Sequence, residues 1–221
     1  MDGSAATLRF EDMRHAMVVS QLRTSAVDDS RVVKVMGEVP RERFVPAAQR
    51  AIAYHDREVA LGNGRAMNPP LASARLVTEA DVASTDRVLL IGAATGYTAA
   101  VLAKLAGSVV ALEADATLAG QARDALAGAG NVTVVEGPLA AGWAEGGPYD
   151  AIVIDGAVDS VPDAIVAQVK ADGRIVTGIA DRGVTRLAAG RRSEGGFGLA
   201  DFADTDCVVL PGFAKPPSFQ F

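Results

Sequence analysis

At 221 residues, with 49% hydrophobic and 22% charged residues, the chain has the composition of one folded domain of ordinary size. That rules out a disordered chain, and a net charge of −6 argues against bulk attraction to nucleic acid or anionic lipid. A single cysteine, Cys207, excludes an intrachain disulfide framework, and two histidines leave almost no material for a histidine metal cluster.

No apolar run approaches the roughly 20 residues that span a bilayer. Residues 1–10 carry Asp2 and lack a basic region followed by an apolar stretch, so no secretory signal is expected. A cytoplasmic location is the expectation, with no membrane and no nucleic-acid partner.

In chain order, residues 9–54 read as helical. Phe10, Met13, Met17, Val18 and Leu22 recur at three- and four-residue steps, the spacing of one helix face. Asp28, Asp29 and Ser30 can cap a second helix through Met36. Pro40 and Pro46 frame a turn in which Arg41, Glu42 and Arg43 read as surface ion pairs, and Ala47 to Tyr54 reads as one more short helix. Residues 55–75 hold the turn signals Gly62-Asn63-Gly64 and Asn68-Pro69-Pro70. Such a loop lines a cleft or simply connects elements.

From there strand and helix alternate. Leu71–Val82 reads as a helix, Arg87–Ile91 as a buried strand, and Tyr97–Leu105 as a helix. Val109–Glu113, Val132–Glu136, Ala151–Asp155 and Arg174–Thr177 read as further strands, with helices over Ala116–Ala127 and Pro162–Val169. Continuous apolar runs alternating with helices indicate an α/β fold, a doubly wound and mostly parallel sheet. Residues 184–209 lose this rhythm and predict two added strands, with Cys207 buried and inert in one of them; Pro211-Gly212 and Pro216-Pro217 mark a closing loop. The whole chain, 1–221, reads as a single domain. It has a helical segment and loop over 9–75, a cofactor-binding core over 76–180 and a tail over 181–221.

Gly92-Ala93-Ala94-Thr95-Gly96 follows the first core strand and opens a helix. Ligands of doubly wound sheets bind outside the carboxyl ends of the strands, where glycine lets the backbone approach closely. Glu113 ends the next strand, 21 residues after Gly92, where a carboxylate usually meets ribose hydroxyls. The turn is neither G-x-G-x-x-G nor a P-loop, so a nucleoside cofactor without phosphates fits better, with S-adenosylmethionine the leading candidate. A tight structural turn beside an incidental glutamate is the alternative. Asp155 reads as a cap of the following turn or as a contact to the cofactor amine. His15 and His55 have no partner at ligand spacing, and no metal is expected.

Several segments together resemble the protein-L-isoaspartate O-methyltransferase family in its bacterial short form. They are Ser20-Gln21-Leu22-Arg23, Glu38-Val39-Pro40-Arg41-Glu42-Arg43-Phe44-Val45-Pro46, Gly62-Asn63-Gly64, Val88 through Tyr97, and Tyr149-Asp150-Ala151-Ile152-Val153. The resemblance implies a class I methyltransferase core of Rossmann-like type with an N-terminal helical extension. It also implies methyl transfer from S-adenosylmethionine to the α-carboxyl of isoaspartyl residues in damaged proteins. It assigns Gly92, Ala94, Gly96, Tyr97 and Glu113 to the cofactor, Gly64 and Pro70 to the substrate, and a catalytic role to Asn68. It also gives the Arg41–Arg43 turn the task of bracing the N-terminal segment. Four positions depart from the family pattern. Leu90 and Pro138 stand where acids are usual, Ala94 where the central glycine is usual, and Asn68 where a serine is usual. The alternative reading is a family member that has lost catalysis and acts as a binding or scaffold protein.

Overall fold

The computed structural model describes residues 2–214; Pro216 and Pro217 lie outside the described residues. Helix α1 (Asp2–Met17) runs into a π-helical turn (Val18–Leu22). Helix α2 (Ser30–Glu38) follows, with the Asp29 carboxylate accepting the Arg31 amide at its N-cap. Residues 41–44 and 47–52 form 3₁₀ turns rather than the α-helix expected to Tyr54. The first helix also begins earlier than expected, at Asp2.

The segment expected to be a loop contains a two-stranded antiparallel hairpin, β1 (Val59–Gly62) and β2 (Arg65–Met67). Its turn needs left-handed backbone at Gly62, Asn63 and Gly64, the residue types that tolerate it. Helix α3 (Pro70–Ala80) starts with proline in its first turn.

The core strands are β3 (Arg87–Ile91), β4 (Ser108–Glu113), β5 (Val132–Glu136), β6 (Tyr149–Val158) and β7 (Val169–Asp181). Between them lie α4 (Tyr97–Ala103), α5 (Ala116–Ala125) and the single turn α6 (Asp163–Val166), shorter than expected. The tail adds β8 (Val184–Ser193), β9 (Gly196–Phe197) and β10 (Ala200–Ala203), three strands rather than two. The main sheet runs β10-β8-β7-β6-β3-β4-β5, parallel from β7 to β5 and antiparallel through β7, β8 and β10, while β9 pairs with β8. This is the expected doubly wound α/β architecture. The chain leaves β3 toward β4 and β5, then returns to lay β6 on its other side. In doubly wound sheets such a switch point, at the carboxyl ends of the strands, is where ligands bind.

Alternate residues of β3 feed the two faces of the sheet. Val88 and Leu90 join the cluster under α2, α3 and α4, while Leu89 and Ile91 join a second cluster with Ile152, Ile154 and Ile175. Leu90 is fully buried, so the position where the resemblance leads one to expect an acid belongs here to the core.

Cys207 is buried but lies outside any strand, in a strap that crosses the end of β6. The Ala157 amide donates to Val208 O at 2.7 Å, and the Leu210 amide donates to Ala157 O at 2.9 Å. Leu210 packs over two glycines, Gly92 and Gly156. A Cβ at Gly156 would collide with Leu210 Cγ and lie 2.9 Å from the Val208 carbonyl oxygen. Gly156→Ala is therefore expected to lower stability by about 1–3 kcal/mol, read as a shift of the urea midpoint. An unchanged midpoint would show that the strap is not seated on this residue.

Candidate active site

The glycine turn lies at the carboxyl end of β3. Gly92 and Gly96 hold φ of 81° and 97°, and Ala94, although not glycine, holds φ 49°. A left-handed alanine costs roughly 1–2 kcal/mol. The strain aims the Ala94 amide at Glu113 Oε2, 2.7 Å away.

Glu113 ends β4 and is fully buried. Its Oε1 accepts from Arg65 Nη1 and from the amides of Ala114 and Asp115 at 2.8 and 3.0 Å. Its Oε2 accepts from Arg65 Nη2 at 3.0 Å as well as from Ala94. A carboxylate has about four lone-pair sites, so this one is saturated. Arg65 was not among the residues singled out from the sequence. The signal for it was the hairpin itself. Alternation along β2 places Arg65 on the buried face with Met67, and a cation there requires a carboxylate.

A second knot sits across β3 at the end of β6. Asp155 Oδ1 accepts from Asn68 Nδ2 at 2.7 Å and from Ser73 Oγ at 3.2 Å, and Oδ2 accepts from Thr98 Oγ1. Asp155 thus neither caps the next turn nor stands free. Asn68 is 1% exposed, and its Oδ1 accepts the Val208 amide at 2.8 Å, so its side chain joins hairpin, β6 and strap.

Arg41, expected at the surface from its run of charges, is fully buried. Its guanidinium donates to the Ala53 carbonyl at 2.7 Å and to the Asn68 carbonyl, and lies 4.6 Å above the centre of the Tyr97 ring. Burial pulls its pKa down, and Tyr97 and Asp155 act against that pull. Burial raises the pKa of Tyr97. Arg41 Nη1 and the Tyr97 hydroxyl are buried without a hydrogen-bond partner. The bracing role implied by the resemblance fits this placement.

The remaining candidates scatter. Gly64 is exposed at the hairpin tip, and Pro70 is buried in the first turn of α3. Pro69, rather than Pro70, lines a cavity of about 390 Å³ with Arg57, Thr185, Cys207 and Val208. Pro138 precedes the turn Leu139–Ala141, and His15 and His55 are exposed. Burial, and next Asp155, push the Cys207 thiol far up, which suits an inert residue. Among the described residues no group of three His, Cys, Asp or Glu is placed to hold a metal ion, and no helix is long and apolar enough to cross a membrane.

The sequence model of the protein-L-isoaspartate(D-aspartate) O-methyltransferase family matches residues 13–209. The chain belongs to this family. It is 39% identical over 181 residues to protein-L-isoaspartate O-methyltransferase 1 of Rhodopseudomonas palustris (strain HaA2), covering 80% of this chain and 74% of the relative. It is 37% identical over 218 residues to the Methylorubrum extorquens (strain PA1) enzyme, covering 95% and 96%. Two solved structures share the fold. One is a protein-L-isoaspartate O-methyltransferase (TM-score 0.78, 24% identity, 90% of this chain and 67% of that one). The other is a putative Plasmodium falciparum member in complex with S-adenosyl-L-homocysteine (TM-score 0.75, 18% identity, 90% and 98%). Members of this family are methyltransferases that use S-adenosylmethionine.

The frame fits such a cofactor. The turn is left-handed where close backbone approach is needed, a buried acid faces it, and two buried polar atoms near Asp155 lack partners. Two side chains lie over that frame, Arg65 on Glu113 and Leu210 on Gly92.

Arg41 is the most exacting of these placements. Lysine cannot reach both carbonyls and cover the Tyr97 ring. Arg41→Lys is expected to cost about 1–3 kcal/mol in thermal or urea unfolding; wild-type stability would mean that the two carbonyls find other donors.

Proposed function

We propose that this chain methylates the α-carboxyl of L-isoaspartyl residues in damaged proteins, with S-adenosylmethionine as donor. The observation that carries the reading is the strained Ala94 turn, which keeps the backbone conformation of a glycine and turns its amide to Glu113.

In this reading Glu113 holds the ribose hydroxyls, and the backbone of Gly92–Gly96 with Tyr97 lines the rest of the cofactor. Bound there, the cofactor supplies an electrophilic methyl carbon on a good leaving group. A carboxylate acceptor is already a nucleophile at neutral pH, so the chain needs no general base and its work is alignment. Asn68 fixes the end of the hairpin against Asp155 and the strap, and Gly64 and Pro70 shape the approach. The cavity beside Pro69 offers the acceptor peptide a place, with Arg57 in its lining among the acids Asp56, Glu58 and Asp206. Isoaspartyl-containing proteins or peptides are the partners implied.

The saturated Glu113 carboxylate favours one rival, a chain that keeps the fold as a binding protein without turnover. Labelled S-adenosylmethionine separates the two. Methyl ester is expected on an isoaspartyl peptide and not on its aspartyl isomer. No ester on either, at enzyme concentrations near those of the peptide, would leave the rival standing.

Asn68→Ala is expected to lower kcat/KM for the peptide by about a hundredfold through misalignment. Turnover equal to wild type would remove Asn68 from the site.

A further inference from the structure

The reading just given needs Glu113 to accept ribose hydroxyls, yet Glu113 has no acceptor to spare. Three of its donors are backbone amides, of Ala94, Ala114 and Asp115. Those amides are fixed by the ends of β3 and β4 and cannot withdraw without unravelling the sheet edge. The other donor group is the Arg65 guanidinium, which occupies both carboxylate oxygens.

Arg65 stands on an element outside the main sheet. The β1–β2 hairpin forms its own two-stranded sheet and makes no strand pairing with the main one. The hairpin backbone is seated by Val59, Leu61 and Met67 in the core and by Asn63 Nδ2 donating to Asp115 Oδ2 at 3.0 Å, so it is the Arg65 side chain that swings while the hairpin stays. Withdrawal of Arg65 would leave the three amides in place, two on Oε1 and one on Oε2, and open an acceptor site on Oε2.

We propose that Arg65 is an internal competitor of the cofactor ribose, a positioning residue that must leave Glu113 before the ribose diol can take its place. The inference rests on the methyltransferase reading. Its consequence is a closed free enzyme. Only the fraction with Arg65 withdrawn is competent, and apparent affinity is the intrinsic affinity reduced by that fraction. The gate also touches the acceptor side. Arg65 lies three residues before Asn68, whose backbone carbonyl is held by Arg41 and whose side chain is held by Asp155 and Val208. Cofactor entry is thus communicated to the residue proposed to align the acceptor.

The test is calorimetric titration of the full chain with S-adenosylhomocysteine. Arg65→Gln is expected to bind about tenfold tighter than wild type while unfolding at lower temperature, since it removes the competitor and a buried ion pair together. Arg65→Lys, which keeps the charge but loses the two-pronged grip, is expected to fall between. A merely structural arginine would lower stability and affinity together, so equal or weaker binding by both variants overturns the gate and leaves the methyltransferase reading intact. No binding by any of the three proteins at millimolar ligand removes both. In wild-type protein, side-chain ¹⁵N relaxation of Arg65 is expected to change from rigid to mobile when S-adenosylhomocysteine is added. A guanidinium equally rigid in both states overturns the proposal without recourse to a variant.

Discussion

A buried glutamate sets the terms for this end of the molecule. An ionised carboxylate with no access to water is costly, and Glu113 survives only because every lone pair is engaged. Its donors come from β2, from the turn after β3 and from the junction of β4 with α5. Three segments distant in sequence are therefore held in one register by a single side chain. The left-handed Ala94 is part of the same arrangement: its backbone strain is repaid at the amide that reaches Glu113.

Asp155 is organised on a different principle. The strand order β6-β3-β4 places it on the opposite side of the glycine turn from Glu113. Its donors are side chains of neutral residues, from the end of the hairpin, α3 and α4. The cation in its neighbourhood, Arg41, spends its hydrogen bonds on carbonyls. The turn is thus flanked by one carboxylate gripped directly by a cation and one whose hydrogen bonds all come from neutral side chains. The two flanks differ in how readily they can be remade.

Much of this architecture was legible in the sequence because it is local. Apolar runs ending in glycine or an acid gave β3 and β4, and the position of Glu113 at a strand end followed from them. What escaped was pairing at long range. Nothing near Arg65 announces a partner 48 residues later, and Asp155 read as a cap because Asn68, Ser73 and Thr98 converge on it from 87, 82 and 57 residues away. Arg41 read as exposed because its neighbours are charged, whereas burial is decided by the Tyr97 ring and two distant carbonyls. The first half of β7 was hidden by Lys170, Asp172 and Gly173, which break the pattern ahead of the apolar run that begins at Ile175. The strand carries them through an irregularity between the Tyr149–Val169 and Ala151–Arg174 pairs, with Asp172 left-handed.

The bond between Asn68 and Val208 spans 140 residues. A ribosome adding about 5–20 residues per second needs roughly 7–30 s to make that stretch. The hairpin end waits for the strap throughout that interval, and the Gly92 turn and the Gly156 surface wait from the moment each is made. The nascent chain therefore passes through a stage in which the residues of every sheet strand have been made and the Gly92 and Gly156 surfaces are still uncovered by Leu210.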